Sequence, residues 1–500
     1  MKKKVLIFVV SYNAEEFIQS VLKRIPENIC QNEEFEIEIL VIDDCSTDLT
    51  FYKAYDFACL NPSIKFTILQ NPVNKGYGGN QKIGYYYAVQ NHFDAVVLLH
   101  GDGQYPPEVL QNLIDPILNN EADVVLASRM IHPAEALKGK MPFYKWIGNR
   151  MLTFTQNMIL GAHLSEFHTG YRSYRVASLQ AVPFSKNSDY FDFDTDILIQ
   201  MMDTRQRFKE IPIPTFYGTE ISRVNGFRYA ILILITSLAS RIMRLGIFYD
   251  ARFDYSKENE QYLSKIGFPS SQQYAIDQVK PHSTVLDLGC GPGFTAKALA
   301  EKQVRTVSLD QYITPLVRQY SYKTIEADLN NYDFSALPEK IDTVLALDVI
   351  EHLRSPETFL LKLREQFCRQ GSTIILTTGN VAFLPVRLSL LMGLFNYSNR
   401  GILDQDHHRL FTFISFRRVL KSCGFIILSE KGIPAPFPLA LGKNKASSLL
   451  LKINELLIHL YKSMFSFQMA FTVQPKPTLQ SLLEDAVQTQ AELLGKIKEN

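Results

Sequence analysis

The sequence predicts an α/β protein built from two doubly wound domains in succession. Three observations predict it. Strand-length apolar runs alternate with helical patterns through the first half, the order that builds a mostly parallel sheet. The alternation restarts near residue 276. Each half also carries its own set of polar residues at strand ends, where open α/β sheets bind ligands. Five hundred residues are too many for one core and suit two domains of ordinary size.

The elements of the first half follow in order. Val5–Val10 is a buried strand and a helix starts near Ala14. Glu38–Ile42, Lys65–Leu69 and Ala95–Leu99 are further strands, with helices from Thr47 and Gly79 between them. The opening Met1-Lys2-Lys3-Lys4 imitates a signal peptide, but its apolar run is short and lacks a small-residue cleavage site. Polar residues collect at the strand ends: Ser11, Asn13, Asp43, Asp44 and Asp102. That pattern suits transfer from a nucleotide-diphosphate sugar. Its leaving pyrophosphate needs a divalent cation held by oxygen ligands. Asp102 and Gln104 can face one ion, and Asp43 and Asp44 can accept hydrogen bonds from base and ribose. A lone Asp at a strand end equally well caps a helix; the ordered clusters separate the two readings.

Six segments together resemble family 2 glycosyltransferases of the GT-A fold, most of all the dolichyl-phosphate mannose synthase branch. They are Tyr12-Asn13-Ala14-Glu15, Asp43 to Asp48, Asn74 to Asn80, Asp102 to Glu108, Ala127-Ser128-Arg129 and Thr169 to Arg172. The resemblance covers about residues 4 to 230. It implies an inverting transferase using a sugar nucleotide with Mg2+ or Mn2+. By it, Ser11, Tyr12, Asn13, Glu15, Asp43, Asp44, Lys75, Gly76 and Arg129 bind the nucleotide sugar, and Asp102 and Gln104 hold the metal. The family usually reads Asp-x-Asp, whereas His100 holds the first position here, as a third ligand or as a packed strand-end residue. Glu166 stands where the synthases often have Asp. Among the carboxylates of Phe191 to Asp196, Asp194 is the candidate base for a hydroxyl acceptor, or one of several helix-start acids favoured by the dipole. A phosphate acceptor is already ionised and needs no base; Arg223 could hold it.

The polar stretch 256–275 reads as a linker between a transferase domain, 1–255, and a second domain, 276–475. Before it, Arg228 to Phe248 reads as an amphipathic helix for interdomain packing or lipid headgroups. Its apolar core, Ala230 to Ser240, is short of the roughly 20 apolar residues of a bilayer span.

In the second half, Val285–Leu288 is a strand, Gly289, Gly291 and Gly293 form a close-approach loop, and Phe294–Glu301 is a helix. Arg305–Leu309 is the second strand and ends in Asp310, placed for a ribose diol. The series from Asp287 through Asp310, Glu326-Ala327-Asp328, Asp348-Val349-Ile350-Glu351-His352, Gly371 to Asn380 and His407 to Thr412 resembles class I S-adenosylmethionine-dependent methyltransferases, with a Rossmann-like fold. Carried over, the loop from Asp287 to Gly293 holds the methionine part, Asp310 the ribose and Asp328 the neighbourhood of the adenine. Asp348 and the residues after it line the active site. His352 and His408 are the base candidates for a hydroxyl acceptor. Ser447 to Phe465 reads as an amphipathic helix, Phe465–Val473 as the last strand, and the tail 476–500 as a docking or dimerising helix. Leu384 to Leu394 packs on the core or faces a membrane.

Net charge of +1 argues against nucleic acid as a partner. Six cysteines without a Cys-x-x-Cys suit a reducing compartment. The expectation is a cytoplasmic bifunctional enzyme, at the membrane's cytoplasmic face if it touches lipid. It glycosylates a polyprenyl phosphate or glycan and methylates a sugar or small molecule, in cell-surface polysaccharide or glycolipid synthesis. A homo-oligomer stays open. The alternatives are one active domain beside a binding module, or a scaffold in a glycan-assembly complex.

Overall fold

The computed structural model describes residues 2–32, 34–139, 141–215, 226–244, 249–254, 264–337 and 340–499. The chain divides into two compact units. The first is Met1–Arg241 with Asp250–Asn259, and the second is Ile242–Tyr249 with Glu260–Asn500. Arg223 lies outside the described residues, as does 256–263 of the expected linker.

The first unit holds, among the described residues, a seven-stranded sheet ordered β3-β2-β1-β4-β6-β5-β7. Its strands are β1 (Lys3–Ser11), β2 (Phe35–Asp43), β3 (Phe66–Gln70), β4 (Ala95–His100), β5 (Val124–Ser128), β6 (Arg172–Arg175) and β7 (Phe208–Pro212). Val5 to Val9 is buried without interruption, because helices cover both faces of the sheet. β1 runs parallel to β2 and β4, with Ser11 paired to Asp43 and Val10 to His100. That register brings the strand-end polar residues to one edge. β6 is antiparallel to both β4 and β5. The helix expected from Gly79 begins earlier, at Gly76, because the Asp44 carboxylate accepts the N–H groups of Lys75 and Gly76 at 2.8 and 2.9 Å.

The helix Gly226–Met243 is long and apolar enough to cross a membrane, with mean hydropathy 1.4, which corrects the expectation that no helix reaches that length. It is nevertheless pinned to the first unit. Buried Arg241 pairs with Asp203 at 2.9 Å and donates to Leu160 O at 3.0 Å. Gln156 reaches Ser237 from the helix Phe143–Leu160.

The second unit holds, among the described residues, a sheet ordered β10-β9-β8-β11-β12-β14-β13. Its strands are β8 (Thr284–Leu288), β9 (Arg305–Asp310), β10 (Lys323–Glu326), β11 (Thr343–Leu347), β12 (Thr373–Gly379), β13 (Phe425–Ile433) and β14 (Gln468–Pro475). β14 is antiparallel to both neighbours, and its apolar side joins Phe413, Phe416 and Leu376 in the core. The domain starts before residue 276. Residues 264–275 are not a linker: Ser270 caps the helix Ser271–Gln278, and the Tyr274 hydroxyl lies 2.9 Å from Thr472 Oγ1. The C-terminal helix Leu479–Glu499 exposes Leu479, Leu482 and Leu483.

Candidate functional sites

At the carboxyl edge of the first sheet, two of the expected ligand carboxylates are already enclosed. Asp43 is fully buried and accepts from Ser46 N, Ser46 Oγ and Gln70 Nε2. Asp44 holds Asn71 as well as the start of the Gly76–Gln90 helix. Asn13, at φ 48°, accepts Thr47 N–H at 2.9 Å. Glu15 accepts Leu49 N–H and pairs with Lys53. Ser11 is buried, with its hydroxyl unpartnered among the described residues. Tyr12 and Lys75 are exposed at the mouth. These residues shape the edge chiefly by fixing its loops.

Asp102 is different. Its side chain is 42% exposed and accepts the Gln104 N–H at 3.0 Å. His100 lies behind it, edge-on to Tyr105, with Nδ1 3.9 Å from Asp102 Oδ2. Its Nε2 is 3.1 Å from the Tyr77 hydroxyl, which donates to Asp194 Oδ2 at 3.1 Å. A hydroxyl has one proton, so with that proton on Asp194 the Nε2–H of His100 is the donor to Tyr77. The Nδ1 lone pair is then left facing Asp102. Burial holds the imidazole pKa down, with the charges of Asp102 and Asp194 opposing; the ring is therefore neutral, the form that ligates metals. Gly170 is required beside it, because a Cβ there would meet His100 Nε2 at 2.5 Å.

Asp194 itself is buried. Besides Tyr77 it accepts from Gln81 Nε2 at 3.1 Å and lies 3.5 Å from the guanidinium of Arg172. Arg172 is wholly buried and ties Phe167 O, Thr169 O and Asp194 O together. Arg129 is gripped by the buried Glu166 carboxylate, which also accepts from Asn149. Tyr77, Gln81 and Arg172 are functional-site residues that sequence alone does not single out. Tyr77 and Arg172 lie within Asn74 to Asn80 and Thr169 to Arg172, and that placement was the available signal.

In the second unit, Gly289, Gly291 and Gly293 all have positive φ, and a Cβ on Gly289 would meet Val349 at 2.5 Å. Gly291 N–H donates to Asp310 Oδ2 at 2.8 Å, which closes the loop onto β9. Asp287 is buried with Oδ2 unpartnered among the described residues. Burial, with the nearby Asp310 charge, pushes its pKa up to about 7. Asp328 is held by Asn330, Asn331 and Gln311; the Asn330 N–H bond leads in lowering its pKa.

Asp348, at φ 57°, begins the turn after β11. It is grasped by Lys265 at 3.0 Å, Ser271 at 3.1 Å and Thr377 at 2.8 Å. Burial alone would raise its pKa, but Lys265 and Thr377 outweigh it. Glu351 is buried beyond it, and that burial, reinforced by the Asp348 charge, raises its pKa. His352 and His407 stand edge to face, centroids 4.6 Å apart. Their Nδ1–H groups face the carbonyls of Asp406 and Ile402 at 3.2 and 3.0 Å, which leaves Nε2 of each as the basic atom. Of the two base candidates, only His352 stands in this ring pair. His408, exposed like His352, donates its main-chain N–H to Glu351 O; its neighbour His407 is the ring beside His352.

Residues 6–182 match the family described as Glycosyl transferase family 2, and residues 257–430 match the Methyltransferase domain family. A UDP-N-acetylglucosamine–dolichyl-phosphate N-acetylglucosaminyltransferase of Methanococcus voltae is 26% identical over 45% of this chain and 90% of its own. An undecaprenyl-phosphate mannosyltransferase of Micrococcus luteus is 26% identical over 45% of this chain and 88% of its own. A ubiquinone biosynthesis O-methyltransferase of Rickettsia bellii is 28% identical over 22% of this chain and 50% of its own.

Proposed function

The chain carries a family 2 glycosyltransferase domain and a methyltransferase domain, and from that premise we propose a bifunctional enzyme of glycolipid or surface-polysaccharide assembly. Its first unit transfers a sugar from a nucleotide-diphosphate donor to a polyprenyl phosphate, with inversion. Its second transfers a methyl group from S-adenosylmethionine to a hydroxyl of a sugar or small acceptor. The place of work is the cytoplasmic face of the membrane.

One observation carries the choice of acceptor. Asp194, the base candidate, is buried and held by Tyr77, Gln81 and Arg172. A hydroxyl acceptor needs a free base; an ionised phosphate does not. Two relatives are named for dolichyl- and undecaprenyl-phosphate. The flank of the site agrees with a lipid: Met151, Phe154 and Met158 lie exposed on the Phe143–Leu160 helix, and Phe227, Ile231 and Ile235 on Gly226–Met243. The same helices send Asn149 to Glu166 and Tyr229 to His168, at the site.

The residues fit a divalent cation: a solvent-facing carboxylate on Asp102, the amide of Gln104 and the Nδ1 lone pair of His100. Mg2+ or Mn2+ there would offset the charge of the leaving pyrophosphate. A phosphate oxygen of the acceptor attacks the anomeric carbon while the bond to the nucleoside diphosphate breaks.

The second unit fits S-adenosylmethionine. The orphaned Asp287 oxygen suits the methionine ammonium, and the glycine loop admits close backbone approach. Bound there, S-adenosylmethionine would supply the methyl group, and His352 Nε2 would take the proton of the acceptor hydroxyl. Alignment supplies most of the rate. Mass spectrometry of products from a panel of sugar nucleotides, undecaprenyl phosphate and labelled S-adenosylmethionine tests the assignment. Sugar on the lipid phosphate and label on a hydroxyl are expected; sugar found only on a soluble glycan would refute the acceptor.

A further inference from the structure

The second unit has its own apolar surface beside the methyl-acceptor edge. Two helices form it, Leu384–Leu391 and Lys445–Leu460. Both rest on one platform. Phe383 meets Phe467 edge-on at 5.8 Å, and Val386 is buried with Ala435 and Phe467. Asn454 of the other helix accepts Ala435 N–H at 2.9 Å and donates to Phe465 O at 2.8 Å.

That platform adjoins the site. Gly379, at the end of β12, donates to Glu351 Oε1 at 3.3 Å. Ile402, whose carbonyl orients His407, belongs to the same apolar cluster.

The outer faces are apolar too. On Lys445–Leu460, Leu451, Asn454 and Ile458 point into the unit, yet Leu449, Ile453, Leu456 and Leu460 form a second stripe on the exposed side. The other helix exposes Leu388, Leu390 and Leu391, the last at 83%, and runs on into exposed Met392, Leu394 and Phe395. A helix apolar on both faces has a second covering.

The charge beside the stripe says what covers it. Exposed Lys443, Lys445 and Lys452 line a cavity of about 630 Å³ with Leu449 and Leu451. From Leu384 to Tyr397 there is one Arg and no acid. Tyr397 and Tyr461 are half exposed at the margins. Leucines flanked by lysines and bordered by tyrosines are the composition of a segment lying in the plane of an anionic bilayer.

We propose that the second unit docks on an anionic bilayer through these two helices and takes a lipid-carried methyl acceptor. The acceptor class rests on the reading above, in which the transferase product is itself lipid-linked; the docking does not.

The test uses the full chain and vesicles of phosphatidylcholine, alone or mixed with phosphatidylglycerol. Because the first unit has an apolar flank of its own, the variants are made with and without Met151→Ser and Phe154→Ser. Leu391→Ser, Leu456→Ser and Leu460→Ser together should lower partitioning to the mixed vesicles about tenfold or more in both backgrounds. Lys443→Gln, Lys445→Gln and Lys452→Gln should lower it only where phosphatidylglycerol is present. Calorimetry with S-adenosylmethionine should be unchanged in both, which shows that the unit is folded. Unchanged partitioning, or loss of a dimer in buffer with no vesicle effect, overturns the docking. Labelled methyl should enter the organic phase when the enzyme is given its own lipid-linked product. Label confined to water-soluble acceptors overturns the acceptor class, and sugar transfer measured separately shows whether the transferase reading failed instead.

Discussion

The two sheets end alike, and Asp348 of the second is held by protein donors as the carboxylates of the first are; the difference lies at Asp287. In the first unit Asp43, Asp44, Glu166 and Asp194 are buried with protein donors on them. In the second, Asp287 is buried with an oxygen unpartnered among the described residues and a raised pKa. A satisfied buried carboxylate fixes loops, and its loss leaves donors stranded. An orphaned one is an incomplete site, costly until a ligand donor arrives. The first unit therefore builds a frame of satisfied carboxylates beside the solvent-facing Asp102, while the second leaves an oxygen of buried Asp287 open.

The largest effect separates Asp102 from the frame. Asp102→Ala should lower sugar transfer by about 10²–10⁴-fold while S-adenosylmethionine binding stays the same; initial rates and calorimetry read both. Transfer at the wild-type rate would mean that the exposed carboxylate is not the working one.

The next concerns the frame. Arg172→Ala leaves Asp194 buried without its cation, and should destabilise the first unit by roughly 3–5 kcal/mol. Scanning calorimetry should show one transition moved down and the other in place. A shift of both transitions together would mean that the units do not melt separately.

In the second unit, His352→Ala should slow methyl transfer to a hydroxyl by about 10²–10⁴-fold, whereas His408→Ala should stay within about threefold because the ring set against His352 is that of His407. The reverse order would restore His408 as the base.

The smallest effect sharpens the comparison most. Asp287 is held near pKa 7 by burial, and a bound ammonium would pull it down. Its charged fraction rises between pH 6 and 8, so S-adenosylmethionine affinity should rise about tenfold over that range. The titration curve should flatten in Asp287→Asn. Affinity that falls with pH would mean that the carboxyl binds in its neutral form.

These contrasts also mark what the sequence could reveal. Strand order and the strand-end positions were legible, because buried parallel strands are unbroken apolar runs and polar residues stop them. Whether a carboxylate there is engaged or free was not legible. Its donors come from distant segments: Gln81 and Arg172 to Asp194, Lys265 and Ser271 to Asp348. The stretch 264–275 read as a linker because it is polar, yet its serines cap a helix and hold Asp348. His407 and His408 are neighbours in sequence, and only the turn after Ile402 decides which ring meets His352.

The central claim is that both units transfer groups, and that they do so at a membrane. The most direct measurement gives the full chain a sugar nucleotide, undecaprenyl phosphate in anionic vesicles and methyl-labelled S-adenosylmethionine, and takes mass spectra of the lipid extract. The account predicts a lipid-linked sugar, with methyl label in the same extract. A sugar product without label, label without sugar, or neither under conditions where both cofactors bind would contradict it.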